Sequence, residues 1–360
     1  MRYETDCAGS PPQLPHQPPP AQEYDVALLD LDGVVYTGQG AVRHAVPALT
    51  RAREAGQRLA FVTNNASRSP SAVAAHLTRL GVPATAADVV TSAQAAATLI
   101  AERLPPGSPV LVVGAMGLRL ALRARGLRPV SVASERPLAV VQGYAPDLSY
   151  GLLAEGGLAV RAGALFVGAN ADLTLPSPHG LQPGNGSMLQ VIATATGVQP
   201  IVAGKPEPPL HAEAVGRTGA KRPLVVGDRL DTDIEGATRG GADSMLVLTG
   251  VSTPRELVLA SPPQRPTYVS ADLRGLLDSQ PAVGPRRGED PAERGTEVAC
   301  CAIDHGGWTA RRQTADNRIE LTGDGEPIDG LRALCALAWS GPQITADQAD
   351  PALKVLADRL

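Results

Sequence analysis

Residues Val26 to Leu29 form an unbroken apolar run that ends abruptly in Asp30-Leu31-Asp32-Gly33. An apolar run without alternation fits a strand covered on both faces, and such strands belong to parallel sheets flanked by helices. Carboxylates two apart on a strand point the same way. Held that close, they repel unless a cation or a reaction partner sits between them or one is protonated. Gly33 lets the chain turn where a side chain would obstruct it. Open α/β sheets present their sites at the carboxyl ends of strands, so this one stretch constrains both the fold class and the place of any chemistry. Asp-x-Asp-Gly is also an ordinary solvated turn after a strand. A calcium loop fits poorly: its alternate ligand positions are held by Val34 and Tyr36, and the leading segment is strand-like.

The pattern recurs along the chain. Val42 to Ala55 reads as a helix stopped by Gly56, and Arg58 to Thr63 as a second buried strand leading into Asn64-Asn65-Ala66-Ser67-Arg68-Ser69. A helix from Ser71 to Leu80 follows. Strand and helix in alternation imply a parallel sheet, which places Thr63 on the same edge as Asp30 and Asp32. The Thr63 hydroxyl and the amides after it suit an anionic oxygen, while Ser69 before Pro70 suits a helix cap. Strand-like runs at Val110–Val113, Leu138–Val141 and Leu165–Val167, separated by helical stretches at Gly117–Arg125 and Ser149–Ala162, read as a smaller α/β domain inserted in the first. It closes with Asn170, Asp172 and a Pro-rich loop, Pro176 to Pro183. Pro183 to Ser187, before a helix from Met188 to Thr196, reads as a hinge and cap in preference to a phosphate cradle. Gly204-Lys205-Pro206 lacks the hydroxyl and the upstream glycine of a Walker loop. Arg222 to Gly227 is another strand, ending in Asp228, with Asp231 and Asp233 just beyond. Acids in a first helical turn offset the helix dipole, which accounts for Asp233 but not for Asp228. A last strand, Ser244 to Leu248, precedes Thr249-Gly250-Val251.

Composition narrows the field. The net charge is −4 with no basic block, so nucleic acid is not an expected partner. The six histidines are scattered and Cys7, Cys300, Cys301 and Cys335 have no metal-ligand spacing, which makes zinc a poor fit and reduced thiols the default. Six prolines in the first twenty residues read as a disordered tail, not a signal segment. No apolar run reaches bilayer length, and the expected location is cytoplasmic.

Three strands thus end in Asp30/Asp32, Thr63 and Asp228, with Lys205 before the last. In that order the set resembles the haloacid dehalogenase superfamily of phosphatases, motif by motif: DLDGVV, TNNAS, the lysine of AGKPEPP, and GDRLDTDIEGA. The large insertion between the second and third motifs resembles the group with nitrophenyl, pyridoxal-phosphate and glycol-phosphate phosphatases. Within it, TNNASRS, NADLTLPSPHGLQPGNGSM and VVGDRLDTDIEGA are most similar to actinobacterial glycerol 3-phosphate phosphatases, which carry a C-terminal acetyltransferase-like domain.

The resemblance implies a Rossmann-like parallel-sheet core, an inserted α/β cap and a small α+β C-terminal domain. It implies an Asp30 nucleophile, Asp32 as general acid and base, Thr63 with the backbone of Asn64 and Asn65 on the phosphoryl oxygens, and Lys205 offsetting charge. Mg²⁺ would be held by Asp30, the carbonyl of Asp32 and Asp228, with Asp233 in support. Asn170 and Asp172 match the cap's specificity loop, and capping a turn is their alternative role. The partner is a small phosphomonoester: glycerol 3-phosphate first, 2-phosphoglycolate or pyridoxal phosphate next. A catalytically weak binding protein on the same fold is the other class of reading, and a homo-oligomer is left open.

The expected domains are a tail over 1–23, a core over 24–88 and 184–280, a cap over 89–183, a linker over 281–294 and an accessory domain over 295–360. In the last, strands are expected at Glu297–Ile303 and Arg318–Leu321, and helices at Ile328–Trp339 and Asp347–Leu360. Its only candidate pyrophosphate loop, Glu320 to Gly325, carries two acids where an anion would sit, so no acetyl-CoA binding is expected.

Overall fold

A computed structural model describes residues 11–177, 180–287, 301–313, 315–357 and 359. The chain divides into two units, Met1–Arg58 with Arg222–Leu360, and Leu59–Lys221.

The first unit holds four neighbouring parallel strands in the order Tyr268–Ser270, Asp243–Val247, Pro223–Gly227 and Val26–Leu29. Every residue of these strands is buried, as expected for a sheet covered on both faces. Register pairs Leu224 with both Ala27 and Asp243, so the two central strands end together, at Asp30 and Asp228.

The C-terminal residues of this unit form an antiparallel sheet, Ala302–His305, Trp308–Arg312 and Ile319–Gly323, with helices Pro327–Trp339 and Ala346–Ala357. The helices match expectation closely. The middle strand was missed, because the Gly306-Gly307 turn before it is preceded by only a short apolar run. The domain does not stand apart from the core. Trp308, Leu331, Leu334 and Leu356 share one apolar cluster with Ile234, Leu257, Val258 and Val269. Arg332 ties the two polar skeletons together, donating to the Val269 carbonyl at 2.9 Å, Gln280 at 2.6 Å and Asp329 at 2.7 Å.

Two expectations about flanking segments are corrected. Residues 1–10 of the expected disordered tail lie outside the described residues, but 11–23 are fixed. Pro12 accepts a hydrogen bond from Asp304, His16–Gln17 pairs antiparallel with Gln280–Pro281, and Glu23 is bonded by Arg222, Arg286 and Tyr268. Proline cannot donate but its carbonyl still accepts, which suits such a segment to an edge. Residues 281–287 of the expected linker also pack: Val283 is buried and bonds Thr267, and Arg287 donates to Asp243. The rest of that linker lies outside the described residues. Cys335 is free and buried, its thiol pushed up by burial, but Cys301 is disulfide-bonded, against the expectation of reduced thiols.

The second unit carries residues 59–63 of the strand Arg58–Thr63, paired in parallel with Val89–Thr91 so that Thr63 lies opposite Thr91. It also holds a five-stranded parallel sheet ordered Ile201–Val202, Leu165–Gly168, Ala139–Gln142, Pro109–Val113, Arg128–Val130. Helices Tyr150–Arg161 and Asn185–Thr196 bury Val160, Leu189 and Ile192 against it. The expected cap boundaries of 89 and 183 therefore move. Val89–Thr91 pairs with the strand before it, and the edge strand Ile201–Val202, too short to leave a pattern, completes the second sheet. The Pro-rich loop is a hairpin, Thr174–Ser177 with Gly180–Pro183.

Candidate active site

Within the first unit, Asp30, Asp228 and Asp233 each offer a carboxylate oxygen within 4.8 Å of the others. Asp228 and Asp233 are 2% exposed. Each acid is placed by its backbone. Asp30 follows Leu29 at the end of its strand, and its N–H donates to the Val226 carbonyl at 2.8 Å. Asp228 follows Gly227, and its carboxylate accepts the Val251 N–H at 2.7 Å. Asp233 lies in a wide helical turn, Leu230–Ile234, and accepts the Arg229 N–H at 3.2 Å. Such i→i+5 turns recur at functional sites because they swing one side chain out of ordinary helical register. Dipole compensation alone therefore does not describe Asp233.

Asp32 stands elsewhere. The strand ends at Leu29, so the turn that follows, with the Leu31 carbonyl accepting from Val34, Val35 and Tyr36, places it. Its side chain is exposed and outside the three-carboxylate group, so strand alternation does not put the two acids in one environment.

Glycines make room for the acids. A Cβ on Gly33, whose φ is +80°, would lie 2.5 Å from Asp228 Oδ2. One on Gly250 would lie 2.5 Å from Asp228 Cγ, and one on Gly227 would overlap the Asp233 side chain. The Thr249 hydroxyl donates to the Gly33 carbonyl at 2.6 Å, which closes the turn over the first motif. The role of Thr249, Gly250 and Val251 was not read from the sequence, although a Thr-Gly pair directly after a strand end was a signal for it.

Within the second unit, Thr63 is 4% exposed and its hydroxyl oxygen accepts the Asn65 N–H at 3.1 Å. The Asn65 side chain is spent on its own turn, accepting from the Ser67 N–H and hydroxyl. Asn64 and Lys205 come together: the Asn64 carboxamide accepts the Lys205 N–H at 2.8 Å and donates to the Lys205 carbonyl at 3.2 Å. The Lys205 ammonium donates to the Val62 carbonyl at 3.4 Å. Asn170 is buried, donates to the Asn64 carbonyl at 2.7 Å and accepts the Asp172 N–H at 3.2 Å, which is the turn-capping role of an Asx residue. Asp172 accepts from Asn64 at 3.2 Å. The amides of Gly184 and Gly186 donate to the Leu173 and Asp172 carbonyls, so these two are engaged within the turn that opens the helix Asn185–Thr196.

Residues 27–128 match a family model for haloacid dehalogenase-like hydrolases, and 202–276 match a second model of that group. A D-glycerol 3-phosphate phosphatase of Mycobacterium tuberculosis is 52% identical over 321 residues, covering 89% of this chain and 87% of the relative. This chain belongs to the haloacid dehalogenase-like hydrolases. An acid sugar phosphatase of Staphylococcus saprophyticus is 38% identical over 71% of this chain and 98% of its own. The fold agrees with the magnesium complex of a Mycobacterium tuberculosis glycerol phosphate phosphatase, at a TM-score of 0.82 and 43% identity, covering 95% of this chain and 99% of that one. Residues 305–357 match a GCN5-related N-acetyltransferase-like domain. As a haloacid dehalogenase-like hydrolase the chain has a donor set that fits Mg²⁺: three carboxylates, two of them buried, with their charges mutually unfavourable unless a cation offsets them. No helix among the described residues is long and apolar enough to cross a membrane.

Proposed function

We propose that this chain is a Mg²⁺-dependent phosphomonoester hydrolase that acts on glycerol 3-phosphate through an aspartyl-phosphate. The observation that carries the reading is the convergence of Asp30 and Asp228, at the ends of two neighbouring strands, with Asp233 from the turn that follows the second. In it, an Asp30 oxygen attacks phosphorus while the ester P–O bond breaks, and Asp32 gives its proton to the departing alkoxide. Asp32 then takes a proton from the attacking water as the P–O bond to Asp30 breaks, which releases phosphate. An exposed acid outside the carboxylate cluster suits this exchange with water. The Asn65 N–H occupies a lone pair of the Thr63 oxygen, so the hydroxyl hydrogen is directed elsewhere, and a phosphoryl oxygen is the acceptor assigned to it. Lys205 offsets charge on the phosphoryl group. The metal would be held by Asp30, the carbonyl of Asp32 and Asp228, with Asp233 supporting it. When bound it supplies positive charge to the phosphoryl oxygens.

The 52% identical relative favours glycerol 3-phosphate over 2-phosphoglycolate and pyridoxal phosphate. The complete set of acids argues against a binding protein that has lost its chemistry. The C-terminal domain has a structural role in this reading. A Cβ on Gly323 or Gly325 would overlap the carbonyls of Gly307 and Gly306, so these glycines serve close backbone packing rather than a pyrophosphate. A phosphate-release assay over the three phosphoesters, with Mg²⁺ and with excess EDTA, tests the reading. Fastest turnover on glycerol 3-phosphate, abolished by EDTA and restored by Mg²⁺, is expected. Undiminished turnover in chelator overturns the metal, and preference for another ester overturns the substrate.

A further inference from the structure

We infer that Asn64 is a positioning residue for the proposed reaction, acting through Lys205. Its carboxamide holds the main chain of that lysine at both ends. Asn64 Oδ1 accepts the Lys205 N–H at 2.8 Å, and Nδ2 donates to the Lys205 carbonyl at 3.2 Å. One planar amide thus meets both polar groups of one residue, which fixes position and direction together. A lysine side chain is long and rotatable, so the ammonium is aimed only if its Cα is held.

The main chain before Lys205 leaves no room for a side chain beside the clamp. A Cβ on Gly204, the residue before Lys205, would lie 2.5 Å from Asn64 Oδ1 and 3.0 Å from Asn170 Cβ. Glycine there allows the carboxamide to approach the main chain closely.

The clamp is itself held from behind. The Asn64 carbonyl accepts from the Ser92 hydroxyl at 2.6 Å and from Asn170 Nδ2 at 2.7 Å, and Ser92 is fully buried. Asn170 is held in turn, its carbonyl accepting from Asn185 at 2.7 Å. The remaining hydrogen-bonding capacity of Asn64 Nδ2 goes to the Asp172 carboxylate at 3.2 Å. A chain of amides, Asn185 to Asn170 to Asn64, therefore ends on Lys205 and Asp172. The expectation for Asn64 concerned its backbone beside the phosphoryl oxygens; its side chain is engaged with the lysine, and that of Asn170 with the turn beside it.

The inference rests on the phosphatase reading of Lys205, and a double-mutant cycle separates the two. The full-length protein, N64A, K205M and the pair are assayed with Mg²⁺ on an aryl phosphate and on glycerol 3-phosphate, and each is melted. N64A is expected to lower kcat about 100-fold, the scale of an ångström misplacement, with a smaller change in KM. In the K205M background, adding N64A should change kcat by less than about threefold, because the group it aims is gone. Equal losses in both backgrounds, or N64A at wild-type kcat while K205M is impaired, would overturn the inference alone. K205M at wild-type kcat would overturn the reading of Lys205 and the inference with it.

Discussion

Replacing Gly250 by alanine tests the carboxylate cluster from outside it. The added Cβ would lie 2.5 Å from Asp228 Cγ and 2.7 Å from its Cβ, and would overlap Oδ2. Ordinary carbon contacts need about 3.5–4.0 Å, so the Asp228 carboxylate must move by about an ångström or the turn must open. Either movement breaks the 2.7 Å hydrogen bond from the Val251 N–H, a charge-assisted bond to a buried acid. Overpacking of this kind costs about 1–3 kcal/mol, and loss of a group that orients a metal ligand costs about 10–100-fold in affinity. The assay is phosphate release as Mg²⁺ is titrated, alongside a thermal melt. G250A should raise the half-saturating Mg²⁺ concentration about 10–100-fold and lower Tm by several degrees. Wild-type Mg²⁺ dependence in a variant whose Tm has fallen would refute the placement of Asp228 at the metal.

Further outcomes are expected elsewhere. D32N should lower turnover on glycerol 3-phosphate by about 10²–10⁴ and on an aryl phosphate by much less, since a good leaving group needs little protonation; equal losses would count against Asp32 as the acid. Removing residues from about Pro285 onward should give an insoluble or strongly destabilised protein, because it strips Leu331 and Leu334 from Leu257, Val258 and Val269; a truncated enzyme that melts like the full chain would show the domain to be dispensable. R332M should cost about 1–3 kcal/mol by leaving the buried Gln280 carboxamide without its donor and the half-buried Asp329 without its cation, read as a shift in the urea midpoint. Burial raises the Asp329 carboxyl, but hydrogen bonds from His305 and Arg332 outweigh it and hold the carboxyl below its ordinary value of 3.8. Its stabilisation is therefore complete above about pH 4 and lost as pH falls through the lowered value, so D329N should flatten the acid limb of the stability profile.

What could be read from the sequence followed from burial. Val26–Leu29 and Pro223–Gly227 are apolar runs because both faces of their sheet are covered, and each pointed to the acid that follows it; in the second unit the buried run Leu59–Val62 pointed in the same way to Thr63. The two-residue strand Ile201–Val202 and the three-residue strand Val89–Thr91 are too short to carry a period, and the cap boundaries slipped with them. The segment 11–23 resisted for another reason: prolines forbid an interior strand, but what fixes this one is distant in sequence, at Asp304 and Gln280–Pro281. The fusion of the C-terminal domain had a signal that went unused. Gly330 to Ala338 of its first helix reads GLRALCALA, with Arg332 its one charged residue, and a helix apolar nearly all round must be covered nearly all round, as these nine buried residues are. Motif spacing pointed to Asp30, Asp228 and Lys205, whereas the parts played by Asn64 and Gly250 depend on close approaches that no local pattern encodes.

The account stands or falls on the covalent step at Asp30. Rapid quenching of the enzyme with Mg²⁺ and a phosphorus-labelled phosphomonoester, followed by proteolysis, reads it directly. The account predicts transient label, stable to acid and released by hydroxylamine, on the peptide containing Asp30 and absent from D30N. Steady turnover with no label on that peptide, or label retained in D30N, would contradict it.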